Sequence, residues 1–206
     1  MQQGTQTQLA LITGASSGIG QALAARYYAA GYRLALIARR TSETKSWATQ
    51  HGMDTDRFQV YSGDVAIVDS IVAACQACLE QQGLPDVVIA NATAYEGIDL
   101  HVRTCQVYHI DLPWEPATLQ QRNGRAVRQG NLQAVIRIFY LLSERSMDAV
   151  RFAMILGKLN WMRDILKSAD RETNNPGAQA EMNPEELLLY LARDPEQAKA
   201  AIEQQR

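Results

Sequence analysis

Residues 9–40 read LALITGASSGIGQALAARYYAAGYRLALIARR, and this stretch decides the fold. The apolar run LALIT at 9–13 leads into Gly14, Gly18 and Gly20. The helical composition of QALAARYYAAG follows, then a second apolar run, LALIA, at 34–38. Neither run alternates polar with apolar residues, the pattern of parallel strands covered by helices on both faces. Strand, glycine loop, helix and strand in that order make a βαβ unit. Gly31 stands where a left-handed residue would end the helix. The glycine spacing suits a tight turn at Gly14, close approach of the backbone to a pyrophosphate near Gly18, and close helix–strand packing at Gly20, with the helix N-terminus facing the anion.

Working outward, FQVYS at 58–62 and VVIA at 87–90 repeat the apolar strand pattern, and Thr41-Ser42-Glu43 opens a further helix with capping residues. Two more strands are expected at 107–111 and 134–141. The expected fold is α/β: a three-layer Rossmann-like parallel sheet of about six strands with a helical C-terminal tail. Residues 1–92 would supply the first half, 93–142 would complete the same sheet, and 143–206 would form the tail.

The totals fit such a fold. The chain has 206 residues, 47% hydrophobic and 20% charged, with a net charge of −2. That balance argues against bulk electrostatic capture of nucleic acid, although a local basic patch survives inside a near-neutral chain. Residues 1–92 and 93–206 each sum to −1. Three cysteines cannot close a disulfide framework, and Cys75-Gln-Ala-Cys78 sits within a helical pattern, which favours packing over redox chemistry. No apolar run approaches the ~20 residues of a spanning helix, and MQQGTQTQ lacks the features of a leader, so a cytoplasmic location is expected. His51, His101 and His109 lack ligand spacing, so no metal site is expected.

TGASSGIG at 13–20 resembles the cofactor loop of the short-chain dehydrogenase/reductase family, and further family landmarks follow in order through residue 92. The resemblance implies cofactor contacts from Gly14, Ser16, Ser17, Gly18, Ile19 and Gly20. Arg39 and Arg40 end the second strand where an Asp would bind the ribose of NAD; guanidinium groups there suit the 2′-phosphate of NADP. Asp64-Val65 resembles the family's adenine-contacting pair, and Asn91-Ala92 part of its Asn-Asn-Ala-Gly motif. The family's catalysis rests on a Tyr with a Lys four positions later, and none of the eight tyrosines has that lysine. No catalytic residue is assigned.

From Thr93 the chain resembles the C-terminal end of a superfamily 2, Snf2-like helicase. Glu96-Gly97-Ile98-Asp99-Leu100 resembles motif V, and the segment from Gln121 through Arg122, Arg125 and Arg128 resembles motif VI. Arginines at every third residue are expected to share one broad helical face. The resemblance implies that Arg125 and Arg128 act as fingers on a transferring phosphoryl group. No acidic residue lies between Glu115 and Glu144. The phosphate cradle and Mg²⁺ carboxylate of a complete ATPase are missing. Gly157-Lys158-Leu159 imitates only a fragment of the cradle, with Leu in place of Ser or Thr.

Beyond Ser143, apolar residues at 150, 153, 154, 156, 159, 162, 165 and 166 approximate one helical stripe that would pack on the sheet or on a second copy. Asn183-Pro184-Glu185-Glu186 and Asp194-Pro195 open later helices. Three functional readings follow. The first is a recombined nucleotide-binding protein that keeps a dinucleotide loop for NADP without a complete active site. The second is a helicase remnant binding nucleic acid or a partner through the arginine helix. The third is a recombination product without activity. Substrate and oligomeric state are left open.

Overall fold

The computed structural model describes residues 7–97, 101–143 and 146–167. The chain divides into two compact units, residues 1–99 and 100–206. In the first, β1 (Leu9–Thr13), α1 (Gly18–Ala29), β2 (Arg33–Ala38), α2 (Thr41–Gln50), β3 (Phe58–Ser62), α3 (Val68–Gln82), β4 (Val87–Ile89) and the short α4 (Ala92–Gly97) follow in order. The four strands form one parallel sheet in the order β3-β2-β1-β4.

That order follows from chain direction. The sheet grows one way from β1 to β3, then the chain crosses back past β2 and β1 to lay down β4. Right-handed crossovers therefore put α1 and α2 on one face and α3 on the other. The core shows both layers. Ala10, Ile12, Leu34, Leu36 and Phe58 pack with Ala24 of α1 and Ala48 of α2. On the opposite face, Ile37 meets Ile71 and Ala74 of α3 around Gly63. All residues of β1 and all of β2 after Arg33 are buried, which is why their sequence shows no alternation. Gly31 has φ +94° just beyond α1 and donates its N–H to Tyr28, the expected left-handed stop. Arg57 closes the same corner: its guanidinium donates to the carbonyls of Tyr28 and Tyr32 and lies 3.9 Å over the Tyr28 ring.

The second unit contains β5 (Gln106–His109), α5 (Pro116–Gly124), β6 (Arg137–Tyr140) and α6 (Met147–Lys167). β5 and β6 pair in parallel, joined through α5. Six strands are therefore present among the described residues, but in sheets of four and two, and the described residues of 93–142 do not pair with the first sheet. Two local features explain the difference. The residues following β4 wind into α4, and β5 and β6 alternate more and less exposed residues instead of forming buried runs. Leu112, Leu119 and Ile155 form this unit's core, with Tyr140, Phe152 and Leu159 against them.

The packing of α6 bears out part of the expected stripe, since Val150 is buried and Leu159 packs on the core, and corrects the rest among the described residues. Ile155, which was not on it, is fully buried, whereas Ala153 and Leu156 are exposed. Residues 152, 155 and 159 form an inward row against Leu112 and Leu119, contacts that pattern alone does not give. The motif-like Asp99 and the expected helix starts at 183–186 and 194–195 lie outside the described residues. No helix among the described residues is long and apolar enough to cross a membrane.

Candidate functional site

β1 delivers the chain to the carboxyl edge of the sheet, where Gly14 takes φ +68° and Gly18 φ +53°. These values favour glycine and turn the backbone sharply into α1. Gly20 serves a different purpose, since a Cβ there would lie 2.8 Å from the carbonyl carbon of Gly14 and 3.0 Å from Cα of Ala15. Only a residue without a side chain lets the first turn of α1 sit on the loop. Ala15 is buried and its N–H donates to the Ile37 carbonyl at 3.3 Å, tying the loop to β2. Gln21 Nε2 donates to the Ser16 carbonyl at 3.1 Å and holds the other side.

The loop presents an open helix end. Ser17 is the N-cap residue, but its side chain makes no capping bond, and the first turn of α1 contains no acidic residue. Ser17, Gly18 and Ile19 are exposed, Ile19 to 80%. Uncapped amides at a helix N-terminus, together with the helix dipole, suit an anion such as a pyrophosphate. The apolar Ile19 beside them gives a ligand's non-ionic portion a surface to cover.

Across the same edge stand the other expected cofactor residues. The N–H of Gly63 donates to the Ala38 carbonyl at 3.2 Å, holding the ends of β2 and β3 together. Asp64 thereby comes within 3.9 Å of Arg39, while its other oxygen accepts the N–H of Ala66 and its own N–H donates to Ser70. Arg40 turns the other way, to Glu43 at 3.0 Å. The two arginines are therefore not equivalent, a difference their adjacency in sequence conceals. Val65 follows Asp64, partly exposed. Asn91, past β4, uses its side-chain oxygen to accept the N–H of Ala94, so it caps α4, and Ala92 is the first residue of that helix.

The topology makes this edge a point of reversal in the sheet. The chain leaves β1 for β2 on one side and returns to β4 on the other, and open parallel sheets bind ligands outside the carboxyl ends of strands at such a reversal. The loop 14–20, Arg39, Asp64 and Asn91 all follow the carboxyl ends of the four strands.

The short chain dehydrogenase family pattern matches residues 8–112. The chain belongs to the short-chain dehydrogenase family. The match runs past Ala92, where the recognisable motifs stop. Relatives include D-threitol dehydrogenase of Mycolicibacterium smegmatis, 34% identical over 85 residues that cover 41% of this chain and 33% of that enzyme. Another is the "Defense against restriction protein B" of Escherichia phage P1, 37% identical over 114 residues, or 55% of this chain and 5% of that protein. Among solved structures, a metagenomic short-chain oxidoreductase in complex with NADP aligns with TM-score 0.46 and 18% identity, covering 82% of this chain and 94% of that one. This family member spans about a third of the length of D-threitol dehydrogenase and a twentieth of the phage protein.

The arginine segment departs from the expected single face. α5 ends at Gly124, so Arg125 and Arg128 fall in the turns that follow. Arg122 is turned inward with 8% exposure and lies 3.4 Å from Asp111. The physical cause is the packing of Leu119 and Arg122 against the unit's interior, which buries part of the face expected to be open. Beneath it, His109 Nε2 lies 2.7 Å from Asn123 Oδ1, and Asn123 Nδ2 donates to the Tyr140 hydroxyl. Glu96 and Gly97 close α4, and Gln121 is exposed on α5. Gly157-Lys158-Leu159 lies inside α6, where a helical backbone cannot cradle a phosphate.

Cys75 and Cys78 face inward on α3, and burial raises both thiols, Cys78 to about 11. A thiol so far above neutrality is not a nucleophile at pH 7, which accords with packing. Among the described residues, no group of His, Cys, Asp and Glu could hold a metal ion.

Proposed function

We propose that this protein binds NADP(H) at the carboxyl edge of its four-stranded sheet and has no complete oxidoreductase or ATPase site within these 206 residues. The observation that carries the proposal is the loop itself: two left-handed glycines, a third pressed against the first, and an uncapped, acid-free helix end above them. Arg39 and Arg40 favour a 2′-phosphate over a bare ribose hydroxyl.

The same reading makes the chain a recombined protein, reductase-like through residue 92 and helicase-like from 93, with boundaries near 93, 142 and 143. Two observations support it. The match to the phage protein is longer than the 92 residues of the reductase half, so it includes residues beyond them. The Tyr-Lys pair of the reductases is missing from the sequence. The family's later strands would also contact the nicotinamide end, so affinity should be lower than in a whole reductase.

NADPH fluorescence titration tests the proposal, with Gly18→Asp as the control because an aspartate there places a negative charge against the pyrophosphate. Saturable binding that the control abolishes supports it. No binding at millimolar NADPH would overturn it. Hydride transfer from bound NADPH to a panel of carbonyl compounds would overturn the claim of an incomplete site.

A further inference from the structure

Among the described residues, the two-stranded sheet is covered on one face only. Val107, His109, Ile138 and Tyr140 lie on the face toward Leu119, Ile155 and Phe152, where α5 and α6 pack. Alternation puts Gln106 and Tyr108 of β5 and Arg137 and Phe139 of β6 on the opposite face. The Tyr108 and Phe139 rings stack there, 4.7 Å between centroids and 11° from parallel, and remain 53% and 37% exposed.

Three properties of this face say what it would take. First, the aromatic pair is fixed in place, because the Tyr108 hydroxyl donates to Gln106 Oε1 at 2.9 Å and the two rings stack on each other. Second, Arg137 is the direct cross-strand partner of Gln106, so a cation stands one register step from the rings. Third, residues 101–143 contain five arginines against two acids, and Asp111, one of those acids, already pairs with Arg122. An aromatic pair on a sheet face beside a guanidinium, in a locally cationic segment, meets the two demands of a single-stranded nucleic acid. Its bases need π-faces to stack on, and its phosphates need positive charge. Exposed Ile110 and Leu141 continue the face by one step, but the whole patch is only a few side chains, small for a stable protein dimer.

We propose that the Tyr108–Phe139 face is a stacking platform for single-stranded nucleic acid, with Arg137 on the phosphates. It uses neither the buried Arg122 nor any residue of the dinucleotide loop, and it stands whether or not NADPH binds. Because recognition is by ring faces, the platform takes a base of any sequence, and a duplex, whose bases are already stacked, binds more weakly.

Fluorescence anisotropy of a labelled twelve-residue oligothymidylate with the full chain tests this. The Tyr108→Ala/Phe139→Ala double variant should bind about tenfold more weakly, whereas Tyr108→Phe, which keeps the ring, should bind within about twofold of the parent. Arg137→Gln should lower the slope of log affinity against log salt by about 0.7. These residues are exposed, and unchanged circular dichroism confirms that the variants fold. The proposal is overturned if the oligonucleotide does not bind, if the double variant binds it equally well, or if a duplex of the same length competes as strongly. Concentration-dependent dimerisation abolished by the double variant, without oligonucleotide binding, would assign the face to a second copy instead.

Discussion

Replacing Gly20 by alanine asks whether the loop is held by close packing, as its geometry states. The added Cβ would lie 2.8 Å from the Gly14 carbonyl carbon and 3.0 Å from Ala15 Cα. Both are backbone atoms, and Ala15 is buried and tied to β2, so neither can swing aside as the end of a side chain would. Overpacking of this kind costs roughly 1–3 kcal/mol. For a unit of this size a loss of about 2 kcal/mol lowers the melting temperature by roughly 8–16 °C. Moving the first turn of α1 off the loop also displaces the amides that would face the pyrophosphate, so NADPH affinity should fall with stability. Two companion variants separate crowding from backbone strain. Gly14→Ala finds open space but must hold φ +68°, a cost of roughly 1–2 kcal/mol. Gly124→Ala, with open space at the end of α5 and no positive φ, should leave stability unchanged or slightly higher. Thermal unfolding followed by circular dichroism ranks the three. A Gly20→Ala protein that melts with the parent and binds NADPH equally well would refute the close-packing argument.

The Cys78 thiol predicts the direction of alkaline unfolding. Its folded value of about 11 lies above that of an unfolded thiol, so the folded state holds the proton more tightly. The associated stability is complete below about pH 8.5 and is lost as pH rises toward 11; Cys78→Ala should flatten that part of a urea-midpoint profile. The Arg122 pair offers a test of charge burial. Asp111 is exposed while Arg122 is buried with its Nε unpartnered, so Arg122→Met should be neutral or stabilising, whereas Asp111→Ala, which strands the guanidinium, should lower the urea midpoint. At the cofactor edge, Arg39→Ala should weaken NADPH binding about tenfold and leave NADH binding unchanged. Arg40→Ala, whose guanidinium is engaged by Glu43, should have the smaller effect in the same titration.

Much of the first unit was legible because its signals are local. The apolar runs marked β1 through β4 to within a residue or two; β1 and β2 are buried on both faces and show it in composition alone, while β3 and β4 are only partly buried. The glycine spacing foretold the turn, the approach and the packing contact, because each depends on the absence of a Cβ at one position. Gly31 announced the end of α1 for the same reason.

What the sequence left undecided depended on long-range packing. Arginines three apart look like one helical face, but where α5 stops and which of its sides turns inward are set by Leu119 and its neighbours across the unit. The same holds for α6, where the contact with Leu112 and Leu119 brought in Ile155 and left Ala153 and Leu156 of the expected stripe exposed. Two adjacent arginines at the end of β2 read alike until Asp64, brought in by β3, and Glu43, on the next helix, drew them apart. About six strands were expected and six lie among the described residues, yet their division into sheets of four and two was not legible, because strand pairing is a contact between distant segments. Sequence by itself therefore determined the backbone chemistry of the dinucleotide loop, which a few consecutive residues carry. Tertiary structure alone decided which charges remain at the surface and that Tyr108 and Phe139, thirty-one positions apart, share one bare face.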